Sequence, residues 1–466
     1  MDPSGAYQKR MTKSSSREVG CLEKDIISEL PWNIQETILC FLPIEDAART
    51  SILSKKWRHC WTMIPHLIFD NGFTYLILGE EVPDDDNIYE VMAYKFVSVI
   101  NKILLHHEGP ILKFSLYMPR DICNCGIIHD YIDQWIPLFS RKGLKQLVLV
   151  DYQLEDFRRH RFSSLDLTHL RLFIFYFDYK PAFTRFTHLT NLELVAVSCS
   201  FDGSIFDCPV LEKLTLIICT GLDHTNFRAP NLKCLLQAHH YITSESFVGL
   251  ENLKEFSFVL GSPGFKSEQK MQTGTSDMVK VFGGLHTLEK FSVGRYFIEY
   301  LAAGGSPNRL PKPLPCLKTL NICDINFTDI SEVSCLLCLI RSAPNLFKLN
   351  ISGKKYLCRK GDLKDFWKED SEDCTINHLQ IITFSYFKGL RAELELVKFL
   401  LAHSPLLKTM SIHRHPNIKN DVALTMAEEM LQYSRASSRA EIKHLKKSIV
   451  IDDFNFDLWA DYDIDA

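Results

Sequence analysis

LKQLVL at 144–149, LTHLRL at 167–172, LTNLEL at 189–194 and LEKLTL at 211–216 share one pattern. An apolar residue is followed by two others, an apolar residue, one other and an apolar residue. Further copies stand at 232–237 (LKCLLQ), 253–258 (LKEFSF), 288–293 (LEKFSV), 317–322 (LKTLNI), 346–351 (LFKLNI), 379–384 (LQIITF) and 407–412 (LKTMSI). The first six units start 21–23 residues apart and the later ones 28–35. Such a period marks stacked units, each too small to bury its own apolar face.

The unit matches the leucine-rich repeat. Each copy predicts one short strand of a parallel sheet, with its apolar positions stacked into a continuous core. The fold class is therefore α/β, a curved repeat solenoid. The residue between the last two apolar positions alternates to the concave, solvated face. That column reads Val148, Arg171, Glu193, Thr215, Leu236, Ser257, Ser292, Asn321, Asn350, Thr383 and Ser411. Two stretches interrupt the array, 261–277 and 302–315, and their Gly, Ser and Pro content predicts irregular loops.

Ahead of the array, residues 25–61 read DIISELPWNIQETILCFLPIEDAARTSILSKKWRHCW. Pro31 suits a helix start and Pro43 a helix end. Ile34, Ile38 and Phe41, with Leu42 beside them, form an apolar stripe at helical spacing. Ala47, Ala48, Ser51 and Ile52 fit a second, closely packed helix, and Trp57 and Trp61 one face of a third. About 40 residues bury too little surface to stand alone, so this module must pack on its neighbour, on a partner, or on both.

Between the two, residues 65–142 read as a helix (90–107), a strand (109–118) and a helix closed by Gly143, a block expected to cap the array. The expected divisions are a disordered tail at 1–22, the helical module at 23–64, the capping block at 65–142, repeats at 143–370, a region continuing the array at 371–445 and an acidic tail at 446–466. Helix and turn are expected over 420–445.

Composition narrows the function. The chain has 466 residues, 46% of them hydrophobic, and 53 Lys and Arg against 57 Asp and Glu, a net charge of -4. This balance offers no electrostatic attraction to nucleic acid or an anionic membrane. No apolar run spans a bilayer and the N-terminus carries no secretion signal. Fifteen Cys in such a chain read as reduced thiols of a cytoplasmic or nuclear protein. Most lie among Leu and Ile, as at Cys208 and Cys219, where they fill space as small apolar groups.

Catalytic signatures are absent. Cys123, Cys125 and His129 are close in sequence but have no second ligand pair at zinc-finger distance. No phosphate loop and no nucleophile elbow occurs. The pairs His106-His107, His239-His240 and His413/His415 suit surface or packing roles. Neither metal nor cofactor is expected. The dense aromatic run Phe173, Phe175, Tyr176, Phe177 and Tyr179 is the first candidate for target contact, unless it meets the capping block. Arg171 and Glu193 either read a charged target or pair with each other.

Residues 25–61 resemble the F-box motif through Leu30, Pro31, Ile34, Ile38, Leu42, Pro43, Ala47, Ser51, Leu53, Ser54, Lys56-Trp57-Arg58 and Trp61. Residues 387–412, FKGLRAELELVKFLLAHSPLLKTMSI, resemble the FBD domain, with DFWKEDSEDC (365–374) as lead-in and RASSRAEI (435–442) as closing run. Together with the repeats, the chain resembles the plant F-box/FBD/LRR-repeat family. The resemblance implies a non-catalytic substrate-recognition subunit of an SCF-type ubiquitin ligase. Its implied partners are a Skp1-like adaptor, through it a cullin and a RING protein, and an unknown protein to be ubiquitinated. Implied docking residues are Leu30, Pro31, Ile34, Ile38, Leu42, Pro43, Ala47, Ser51, Leu53, Trp57 and Trp61. Candidate target-binding residues are Arg171, Phe173, Phe175, Tyr176, Glu193, Thr215, Ser257, Asn321 and Asn350. Two other readings stay open. One is a repeat scaffold acting outside a ligase. The other is a small-molecule receptor, which would need converging cations on the concave face, where only Arg171 stands.

Overall fold

The computed structural model describes residues 27–79, 86–119, 122, 126–151, 162–177, 186–199, 206–222, 227–239, 251–260, 282–303, 307–354 and 376–445. Its centre is one parallel sheet of fourteen strands, each lying beside the next in sequence. They are β1 (His66–Phe69), β2 (Lys113–Tyr117), β3 (Gln146–Val150), β4 (His169–Phe173), β5 (Asn191–Val195), β6 (Lys213–Ile217), β7 (Cys234–His239), β8 (Glu255–Leu260), β9 (Lys290–Val293), β10 (Thr319–Ile325), β11 (Lys348–Gly353), β12 (Ile381–Phe387), β13 (Thr409–Arg414) and β14 (Glu441–Leu445). Every one of the eleven repeat units forms a strand. Their apolar positions are buried, as with Leu144, Leu147 and Leu149 at 1% exposure or less. Neighbouring strands pair residue for residue, so the column from Val148 to Ser411 runs unbroken across them. Parallel neighbours need a crossover on the sheet face; helices supply it toward the two ends of the array, while among the described residues between β4 and β7 short strands such as Tyr176–Phe177 and Ser198–Cys199 do.

Residues 65–142 are a correction. They were expected to precede the array, yet they form its first two strands, with β1 paired to β2 and β2 to β3. Ile64, Leu67 and Phe69, then Ile111, Phe114 and Leu116, carry the repeat pattern and are buried. Between β1 and β2 lie two helices, α3 (Asn71–Leu78) and α4 (Asp86–His106). They stretch this interval beyond the period of the other units and hide the repeat. Helix α5 (Ile127–Lys142) ends as expected on Gly143, whose φ of 78° suits a helix C-terminus. At the other end, the stretch read as a turn contains strand β14. The repeat has a further signal: Pro209, Pro230, Pro315, Pro344 and Pro405 each stand two residues before the first apolar position of a unit.

Left-handed backbone recurs just after three strands, at Ile174, Ala196 and Ile218, with φ of 54°, 51° and 51°. This conformation is uncommon for residues other than glycine, and most of all for branched ones such as Ile174 and Ile218. Here each N–H still reaches the next strand's carbonyl, of Val195, Ile217 and Ala238, and the turn sends Phe175, Val197 and Cys219 back into the core. Burial pushes the Cys199, Cys208 and Cys219 thiols up to about 12, so they remain protonated fillers.

In the C-terminal half, helix α6 (Arg295–Ala303) lies beside α7 (Ile330–Ser342), and α8 (Arg391–His403) precedes β13. Glu332 and Glu393 occupy the third position of α7 and α8 and are 2% and 1% exposed. Glu332 accepts the Asn326 N–H at 2.8 Å, and Glu393 those of Lys388 and Leu390 at 2.9 Å. Burial outweighs these bonds and raises both carboxyls to about 7. A raised folded value means that the folded state holds the proton more tightly than the unfolded chain. Their contribution is therefore full below about pH 4.5 and is lost as pH rises through about 7. Glu393→Gln keeps an acceptor and removes the charge. Its stability relative to wild type should rise by on the order of 2 kcal/mol between pH 5 and pH 8, measured by urea unfolding.

Helix α9 (Asn420–Leu431) follows β13, and between α8 and α9 Gly389 meets Met426. Gly389 has φ of 72°, and an added Cβ would lie 2.1 Å from Met426 Cε. The positive φ favours glycine at this turn of the 387–412 stretch, and a larger residue would displace the flexible end of Met426.

Candidate functional site

The N-terminal module has two faces. Helix α1 (Trp32–Cys40) starts directly after Pro31, and α2 (Ile44–Arg49) directly after Pro43, so each proline opens a helix. The inward face of α1 carries Gln35 and Leu39. Gln35 donates to the Ser28 and Leu30 carbonyls at 3.3 and 3.0 Å and fixes the approach to the helix. Leu39, Ile44, Ala47, Trp57, Cys60 and Ile64 join the core of the array. The outward face carries Ile34, Ile38, Phe41 and Leu42, exposed by 42%, 38%, 85% and 36%. Ile52 and Leu53 beyond α2 are also exposed. Isolated apolar side chains on a surface are ordinary, whereas one helix presenting a continuous stripe marks a contact face.

Not every expected docking residue lies on that face. Leu30, Ser51 and Trp61 are half-buried, and Pro31, Pro43 and Leu53 are exposed. Ala47 and Trp57 are buried at 0% and 2% exposure, so they hold the module together from inside. The third helix, Trp57–Met63, is a 3-10 helix. Its period of three places Cys60, rather than Trp61, on the buried face with Trp57. Gln35 carried no signal in the apolar pattern because its role is a hydrogen bond.

The open face of the sheet also departs from expectation. Phe173 is fully buried, in a small cluster with Val150, Val195 and Ile217. Phe175 is buried and meets the His129 ring edge-on at 5.9 Å, so this part of the aromatic run touches α5 instead of solvent. Tyr176 lies in a short strand, Tyr176–Phe177, while its side chain and Tyr179 are outside the described residues. Thr215 and Asn321 are buried at 5% and 1% exposure, because side chains on adjacent strands crowd them. Asn321 donates to Ser292 and Asn350 donates to Asn321, both at 2.8 Å. Ser257 and Asn350 remain half-exposed.

Arg171 and Glu193 face each other across β4 and β5 at 3.3 Å. Each side chain is 30% exposed, and their charges offset one another. Arg171→Met is expected to change stability by less than about 1 kcal/mol in thermal unfolding, as for other exposed pairs.

Metal and membrane readings gain nothing. Cys123 and Cys125 lie outside the described residues, and His129 Nε2 lies 2.8 Å from Asp151 Oδ2 in a buried contact. Among the described residues no cluster of three His, Cys, Asp or Glu could hold a metal ion. No described helix is long and apolar enough to cross a membrane.

Comparison with known proteins matches three segments of the chain. The F-box domain model matches residues 27–69, the model of the LRR repeats of FBD-associated F-box protein At5g56370 matches 132–351, and the FBD model matches 373–412. F-box/FBD/LRR-repeat protein At1g13570 of Arabidopsis thaliana is 34% identical over 434 residues, 91% of this chain and 99% of the relative. The chain belongs to the plant F-box/FBD/LRR-repeat family. F-box/FBD/LRR-repeat protein At2g04230, from the same plant, is 37% identical over 219 residues, 46% of this chain and 40% of the relative. F-box protein At3g59000, also from Arabidopsis thaliana, is 25% identical over 443 residues, covering 84% and 86%. F-box/LRR proteins are typically non-catalytic adaptors, and an F-box implies a Skp1-type partner in general. The F-box match extends to residue 69 and so includes strand β1.

Proposed function

We propose that this chain is the substrate-recognition subunit of an SCF-type ubiquitin ligase. The outward stripe of α1 docks on a Skp1-like adaptor, which joins a cullin and a RING protein. A target protein is held by the open face of the repeats, with Ser257 and Asn350 among the half-exposed residues available to it. The observation that carries the reading is the exposed row Ile34, Ile38, Phe41 and Leu42 on α1 and the turn that ends it, a helix whose opposite side is already buried. Such a row fits helix-in-groove recognition. The ligase gains rate by proximity, holding a target lysine near the reactive thioester, so this chain supplies no reacting group. Free cysteines, several of them buried like Cys208 and Cys335, suit the cytoplasm or nucleus.

Co-purification of the full chain with a recombinant Skp1-like adaptor and cullin tests this function. Capture by wild type and loss in an Ile34/Ile38 variant supports it. No capture by well-folded wild type overturns it and leaves a repeat scaffold that works outside a ligase.

A further inference from the structure

Modules joined in one chain normally move relative to one another unless their interface is large and apolar. Here the junction is laced. The Thr62 carbonyl accepts the Glu108 and Gly109 N–H groups at 2.9 and 3.1 Å, and the Pro65 carbonyl accepts those of Leu112 and Lys113 at 2.8 and 3.1 Å. The Ile64 carbonyl lies 2.8 Å from His107 Nε2, which must therefore carry the proton. Lys142, at the end of α5, donates to the His107 and Glu108 carbonyls at 3.0 and 2.9 Å. The Lys142 carbonyl in turn accepts the Ile111 N–H at 3.1 Å. One segment, residues 107–113, thus holds residues 62–65 from the array side, and Lys142 braces that segment in turn.

Gly109 sits at the tightest point. A Cβ there would lie 2.7 Å from Met63 O, 2.9 Å from Met63 Cα and 3.0 Å from Met63 C. All three are backbone atoms, so no side chain can rotate away to make room. Residues 66–69, still within the F-box match, then form β1 and pair with β2. The core runs without a break from Leu39 and Trp57 through Leu67 to Phe114.

We propose that Gly109, His107 and Lys142 are positioning residues that fix the F-box in one orientation relative to the open face of the sheet. The module and the array then move as one body. Resting on the proposed ligase function, the consequence is a fixed placement of a bound target relative to the docked adaptor, set inside this chain.

The test is single-molecule energy transfer in the full chain, with dyes carried by unnatural amino acids at the exposed positions Lys55 and Lys213. Wild type should give one narrow population. Gly109→Val should displace it or broaden it at least about twofold, because the wedge acts on backbone. Affinity for a recombinant Skp1-like adaptor should stay within about twofold, since the docking stripe lies on the outward side of α1, away from the buried side that carries Gln35 and Leu39. His107→Leu with Lys142→Met removes the side-chain part of the lacing without adding a wedge, and should also broaden the population. This pair decides the matter if Gly109→Val fails to fold. A broad wild-type population, or variants whose populations neither move nor broaden, overturns the proposal. Failure of wild type to bind the adaptor overturns the ligase reading alone, because the energy-transfer result is obtained without it.

Discussion

Replacing Ile34 and Ile38 together by Asp is expected to lower affinity for a Skp1-like adaptor at least about a hundredfold. Fully burying each such side chain contributes about 1.5–3 kcal/mol, of which about two-fifths is left to gain on docking, and about 1.4 kcal/mol corresponds to tenfold in affinity, so lost contact alone accounts for roughly tenfold or more. The new carboxylates would also have to lose water in an apolar groove, which adds to the loss. Both side chains are exposed by about two-fifths in the free chain, so the melting temperature should hardly move. Calorimetric titration with the adaptor and a thermal melt read the two quantities separately. Retained affinity would place the docking face elsewhere on the module.

The second large effect comes from the other side of the same module. Trp57→Ala should destabilise the F-box by about 3–5 kcal/mol, the usual cost of emptying a buried aromatic site. Trp57 is 2% exposed and packs in the core shared with Leu39 and Ala47. Adaptor binding would fall here too, but through loss of the folded module. Hydrogen exchange distinguishes the routes: residues 32–63 should lose protection in Trp57→Ala and keep it in the Ile34/Ile38 variant. Trp57→Phe should recover much of the loss. Unchanged protection in Trp57→Ala would mean that the side chain does not hold the module together.

The contrast between Ile38 and Trp57 shows where sequence reading reaches its limit. Both belong to the F-box pattern, and both are apolar at helical spacing. A pattern of residue types reports that a position prefers to leave water. It does not report whether the chain itself or a partner provides the cover. That depends on the helix type of residues 57–63, where a period of three turns Trp57 and Cys60 inward. Phe173 and Phe175 repeat the lesson on the array. A left-handed Ile174 between them directs one to a small cluster on the open face and the other to the main core.

The sequence by itself determined the strand positions of the eleven clear repeats, their shared register and the open-face column. Side-chain alternation along a strand is strict, and a regular period leaves one way to stack the units. The F-box, the repeats and the FBD region were legible for the same reason: their apolar positions recur at fixed intervals. Only the tertiary structure decided that residues 65–142 belong to the sheet, since long helices between β1 and β2 obscure the period. It alone decided that Arg171 and Glu193, already neighbours in the column, pair with each other, and that Gly109 abuts the Met63 backbone. These are relations between segments far apart in the chain, and their distances are set by packing, which no local pattern encodes.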